Sequence, residues 1–162
     1  MIAGIDIGLK NLAWCTVEGE DINFGLIDLR QGKCKDYTKL VVDRYPFPFS
    51  GAQKIVIERQ MNAKMKLIAQ AVRLLHYKQS EMVTPHRIKK FYGTSTGKYK
   101  GNKKAAELKV SEIFPKIWKR IKGRKKDDIC DAILMAFWGK SQSQLEDLPR
   151  SAGARSGAPS ES

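Results

Sequence analysis

Ile2-Ala3-Gly4-Ile5-Asp6-Ile7-Gly8 opens the chain as a short apolar run that carries one acid in its middle and closes on glycine. Its alternation is that of a β-strand, so the acid stands in a segment that its neighbours bury. Two more apolar runs follow, over residues 12–17 and 22–29, separated by the turn residues Glu18-Gly19-Glu20-Asp21. Three short strands this close together predict an antiparallel meander. Residues 31–51, with Pro46 and Pro48, are weakly patterned and hold either a short helix or a plain crossover.

Lys54-Ile55-Val56-Ile57-Glu58 is a continuous apolar run closed by a carboxylate, which is how a central strand buried on both faces reads. Met61, Met65, Ile68, Val72 and Leu75 then recur at helical spacing, with the methionines as core filler. Residues 81–85 read as another short strand, and Pro85 opens a helix over 85–91. The Gly-, hydroxyl- and Lys-rich stretch 92–101 reads as a flexible loop, with Asn102 as N-cap of a helix running through Phe114. Residues 126–140 form a last helix with Ile129, Ile133, Ala136 and Phe137 inward, and the Ser/Gly/Ala-rich residues 141–162 read as a disordered tail. This order predicts an α/β domain over residues 1–140, with a mixed five-stranded sheet flanked by helices.

With 162 residues the chain has enough length for one core. No apolar run is long enough for a membrane span, and the N-terminus does not read as a secretory leader, so an intracellular protein is expected. Cys15, Cys34 and Cys130 show no metal-ligand spacing and read as small buried apolar residues. His76 and His86 are too few and too separated to build a site, and Trp14, Trp118 and Trp138 are assigned to packing.

The charge is uneven. Thirty Lys and Arg stand against 17 Asp and Glu, a formal net charge of +13, and residues 86–126 hold fifteen of the basic residues with only Glu107 and Glu112 opposing them. Such density favours a polyanion as partner, because counterion release rewards many positive charges acting together. A membrane surface competes poorly, since no segment joins this basicity to an apolar face of the right kind.

Against this basic background four acids stand out. Asp6 and Glu58 lie on buried strands, where an unpaired carboxylate is costly. Asp128 and Asp131, three residues apart at the start of the last helix, point the same way. Asp127 beside them reads equally well as a helix-capping acid. Converging carboxylates make a hard-oxygen site for Mg²⁺ or Mn²⁺, and beside a basic surface the matching chemistry is two-metal phosphodiester hydrolysis, with the ions about 4 Å apart.

Gly4-Ile5-Asp6-Ile7-Gly8-Leu9-Lys10-Asn11-Leu12-Ala13, Ile57-Glu58-Arg59-Gln60 and Lys126-Asp127-Asp128-Ile129-Cys130-Asp131-Ala132 together resemble the poxvirus Holliday junction resolvases. They also look like the fungal mitochondrial resolvases and, more distantly, bacterial RuvC. The resemblance spans residues 1 to about 140 in order. It implies a ribonuclease H-like fold, a homodimer, and paired symmetric nicks across a four-way DNA junction with two Mg²⁺ ions, or Mn²⁺ in their place, and no small-molecule cofactor. Carried over by motif, the metal-binding and catalytic acids are Asp6, Glu58, Asp128 and Asp131, with the choice between Asp127 and Asp128 resting on the three-residue spacing. The presequence and accessory module of the mitochondrial members have no counterpart, so a mitochondrial location is not expected; a viral or phage source is, and for a viral protein the host cytoplasm.

Lys10, Asn11, Lys64, Lys98, Lys100, Lys103 and Lys104 are the expected DNA contacts, with a hairpin turn as the competing account of Lys10 and Asn11. Two other functions fit parts of the pattern. A junction-binding protein without catalysis would use the acids only to orient a structural ion. An actin-like nucleotide-binding domain shares the opening motif but needs a duplicated domain and further phosphate loops that are not found here.

Overall fold

The computed structural model describes residues 1–30, 36–123 and 125–146, and of Tyr99, Lys100 and Glu146 only the backbone. Five strands form one sheet: β1 (Ile2–Ile7), β2 (Asn11–Glu18), β3 (Asp21–Asp28), β4 (Lys54–Glu58) and β5 (Ser80–Val83), in the order β3-β2-β1-β4-β5. The first three pair antiparallel as the expected meander, and β4 and β5 add parallel to β1. The mixed five-stranded sheet read from the sequence is therefore the observed one. Six helices complete the described residues: α1 (Tyr37–Val42), α2 (Ala63–Leu75), α3 (Pro85–Tyr92), α4 (Tyr99–Ile113), α5 (Pro115–Trp118) and α6 (Lys126–Glu146).

Strand alternation divides the core in two. Ala3, Ile5, Ile7, Ile55 and Ile57 point to one face, where they pack with Val41 of α1, Ile68 and Val72 of α2, and the stacked rings of Phe47 and Phe49. Val56 and Val83 point to the other face, against Val110 of α4 and Ile129, Ile133 and Ala136 of α6. Asp6 and Glu58 are in step with this second set, because they stand two residues beyond Gly4 and Val56, which are opposite one another in the β1–β4 register. His76 is buried beside Tyr45, Phe47 and Phe49, a packing position, and burial lowers its pKa.

Helix α6 lies directly on β1. A side chain at Gly4 would stand 2.3 Å from the Ala132 carbonyl oxygen and 2.4 Å from the Ala136 nitrogen, so only glycine admits this approach. The crossing fixes the site: Ala132 sits over Gly4, and the turn before it, with Asp128 and Asp131, overhangs Asp6 at the end of the strand.

Several expectations change. The helix expected from Met61 starts at Ala63, since the Asn62 side chain caps the amides of Lys64 and Met65, and Met61 is left outside it, 84% exposed rather than core filler. Asn102 is not a helix N-cap: α4 begins at Tyr99, inside the stretch read as a loop, and the Asn102 Oδ1 accepts from the Thr96 amide at 2.7 Å and the Thr96 hydroxyl at 2.9 Å. The end expected for the last helix at Lys140 is too early. Residues 141–146, assigned to the tail, continue α6, with the Ser141 and Ser143 hydroxyls donating to the Phe137 and Gly139 carbonyls. The remainder of the expected tail, residues 147–162, and Cys34 lie outside the described residues. Cys15 and Cys130 are free and buried as expected, and burial pushes both thiols up to about 12. Among the described residues no helix is long and apolar enough to cross a membrane.

Candidate active site

Asp6, Glu58, Asp128 and Asp131 line one cleft of about 530 Å³, reached from the ends of β1 and β4 and the first turns of α6. They are 125 residues apart in the chain at the extreme, yet parallel pairing of β1 with β4 and the seating of α6 on Gly4 bring them to one place. Pro85 and Lys89 of α3, Asn102 and Lys103 of α4, and Lys125 before α6 form the walls, and Arg59, Gln60, Met61, Asn62 and Met65 form the rim beyond β4.

The acids feel one another. Asp6 is held well above the usual carboxylate range, first by burial and then by the charges of Glu58, Asp131 and Asp128, and its carboxyl hydrogen-bonds Glu58. Asp131 is raised to about 7, by burial first and by Glu58 next, while Lys89 and Lys103 pull it back. Gln60, nearly buried, donates from Nε2 to Glu58 Oε2 at 3.1 Å and so fixes that carboxylate. Asp127 behaves differently. It bonds Lys103 at the cleft wall, and that partner lowers its pKa against the opposing effect of burial. It does not line the cleft, whereas Asp128 and Asp131 do.

Asp128 is also paired with lysines, Lys103 Nζ to its Oδ1 at 3.2 Å and Lys125 Nζ to its Oδ2 at 3.1 Å. Among the described residues no three His, Cys, Asp or Glu side chains stand together at ligand spacing. The four carboxylates share a cleft without closing into a shell. As a donor set they nonetheless fit Mg²⁺ or Mn²⁺: all ligands are hard oxygens, they converge from three elements, and two of them resist ionisation in spite of the lysines nearby, so that further positive charge would favour their ionised form.

The expected DNA contacts divide. Lys103 lines the cleft. Lys10 and Asn11 form the β1–β2 hairpin, where the Gly8 amide donates to the Asn11 carbonyl at 2.9 Å, and neither lines the cleft. Lys64 on the first turn of α2, Lys98 before α4 and Lys104 on α4 are exposed and lie outside the lining. The Lys100 side chain lies outside the described residues. Sequence reasoning missed Gln60, Lys89 and Lys125. Gln60 follows Glu58 by two, Lys89 is one helical turn from Pro85, and Lys125 precedes Asp128 by three, so each had a spacing signal, although nothing distinguished these positions from other polar residues in a lysine-rich chain.

No protein-family model and no curated protein sequence matches the chain. Thirteen chains of solved structures do, and two of them bear directly on the fold. One is the crystal structure of the fowlpox virus Holliday junction resolvase, with TM-score 0.56 and 18% identity, covering 88% of this chain and 99% of that one. The other is that of fowlpox virus resolvase with substrate Holliday junction DNA, with TM-score 0.60 and 19% identity, covering 90% of this chain and 99% of that one. Likeness at this identity is likeness of fold, and the mixed five-stranded α/β architecture expected from the sequence is the one found.

Proposed function

We propose that the chain is a metal-dependent, structure-selective DNA endonuclease that resolves four-way junctions by paired symmetric nicks. The observation that carries this reading is the convergence of Asp6, Glu58, Asp128 and Asp131 on one lysine-walled cleft, in a fold that it shares with resolvases. These four residues would hold the ions. When bound, Mg²⁺ or Mn²⁺ supplies Lewis acidity to the attacking water and to the leaving 3′ oxygen.

The chain's own groups do the rest. Gln60 keeps Glu58 in one orientation, and Lys89 offsets the negative charge around Asp131. The exposed lysines Lys64, Lys98 and Lys104, with Lys10 and Asn11 at the hairpin, track the backbone of DNA arms that leave the cleft. Opposed nicks require two such clefts related by a two-fold axis, hence a homodimer. Leu67 and Leu74, seven residues apart on the outer face of α2 and 53% and 71% exposed, with Tyr77 beyond them at 68%, supply an apolar face for it.

A synthetic four-way junction tests the reading. With Mg²⁺ the protein should nick opposing strands symmetrically, whereas with EDTA it should bind the junction and leave it uncut. Asp6→Asn should lower cleavage by about three orders of magnitude or more with binding changed less than about threefold. A protein that binds junctions no better than linear duplex and cuts neither would refute the proposal.

A further inference from the structure

Asp128 has both carboxylate oxygens engaged, by Lys103 from α4 and Lys125 from the turn before α6. Lys103 also bonds Asp127, so it ties two neighbouring acids of one helix turn. The Lys103 side chain is 27% exposed and those of Asp127 and Asp128 18% and 19%, so the Lys103 pairs sit largely out of bulk water, where charges act on one another strongly, whereas the Lys125 side chain is 51% exposed and its pair is the wetter one. Lys125 is also presented by a left-handed backbone, φ 70°, which a non-glycine residue holds only when its surroundings impose it.

An ammonium group and a divalent cation sharing one carboxylate repel each other across about 3–4 Å in such a setting. A cation that takes Asp128 as ligand therefore has to dislodge a lysine. The dislodged ammonium stands at the wall of the cleft where a phosphodiester would lie. We propose that Lys103 and Lys125 are internal stand-ins for the metal, which hold the α6 acids in the ion-free protein and pass to the DNA backbone when a divalent ion takes their place. Metal and junction then bind cooperatively, since each ion that enters frees a phosphate ligand. The inference rests on the metal-nuclease reading above.

Three measurements on the full chain test it. Calorimetric titration of wild type with Mg²⁺ comes first: no binding would sink the nuclease reading itself, and this inference with it. Given binding, Lys103→Gln and Lys125→Gln should each bind Mg²⁺ about fivefold tighter or more, because a competitor has gone. Lys90→Gln, which removes the same charge from an exposed position next to Lys89, should change it less than about twofold. Unchanged or weaker Mg²⁺ binding by both cleft variants would make the lysines structural struts and overturn the inference. Should a variant fail to fold, wild type alone decides. Lysine acetylation read by mass spectrometry should be slow at Lys103 in EDTA and severalfold faster with Ca²⁺, and equal rates overturn it. Finally, with Ca²⁺ as the ion and an uncut junction, Lys103→Gln should cost about fivefold more junction affinity than it costs in EDTA. An equal cost would show that Lys103 is not handed to DNA, while leaving junction cleavage by the wild type untouched.

Discussion

Asp131 keeps its proton to about pH 7, whereas in the unfolded chain it loses it near the ordinary carboxylate value of 3.8. Between those limits the native state binds more protons than the unfolded state, so stability falls as pH rises, and the loss is complete above about 7. Asp6 is shifted in the same direction. Asp127, lowered by Lys103, has the opposite sign, but its contribution disappears only below the ordinary carboxylate range, outside this window. In EDTA, then, the protein should be more stable at pH 5 than at pH 8. Asp131→Asn should gain on wild type by on the order of 2–3 kcal/mol between those two pH values, measured by urea unfolding. A gap that does not change with pH would mean that the carboxyl is solvated as an ordinary surface acid. At pH 8 a divalent ion bound as proposed would supply the missing positive charge, so Mg²⁺ should restore what ionisation removes.

At the scale of elements, the strands and their acids were legible because burial leaves a plain signature: apolar runs of five to eight residues, two of which carry a carboxylate, Asp6 and Glu58, that is costly there unless something compensates it. The start of α4 was not legible. Lys98-Tyr99-Lys100-Gly101-Asn102 has the composition of a loop, and what holds it helical is tertiary, the packing of Ala106 and Val110 against the core beneath α6. The end of α6 was misread for a related reason, because Ser141 and Ser143 look like linker residues while their hydroxyls are satisfied by carbonyls one turn back. Met61 kept helical step with Met65, and only the cap at Asn62 shows that it lies outside. The lysines that line the cleft were the least legible part, since a chain with 30 Lys and Arg offers many candidates and only the folded topology selects among them. One element-level feature was written openly, Gly4, although its reason is visible only in the packing. Gly4→Ala would drive a methyl group into the backbone of α6. It should destabilise the protein by about 3 kcal/mol, and in the folded fraction cut junction cleavage more than junction binding, because the α6 acids would be lifted from Asp6 while the basic surface is kept. Chemical unfolding and cleavage assays on the same preparation check both halves.

For the whole molecule, the paired nicks proposed above would require two clefts. Leu67 and Leu74 of α2, with Tyr77 just beyond it, are exposed on the sheet face opposite α6, while Ile68 and Val72 turn inward to pack with the strands and with Val41 of α1. A two-fold pairing through this face would leave each cleft rim open. Leu74→Glu should therefore yield a monomer by analytical ultracentrifugation with an unchanged circular dichroism spectrum, and nick one junction strand in place of two. Retention of a dimer by this variant would move the interface elsewhere.

The close seating of Ala132 on Gly4 has a mechanical meaning as well. Two backbones with no side chain between them cannot slide, so the strand and the long helix behave as a single stiff anvil on which the acids are mounted. Under the proposed function, a branched duplex would have to be accommodated by movement of the helices that bear Lys89 and Lys103 rather than of this base.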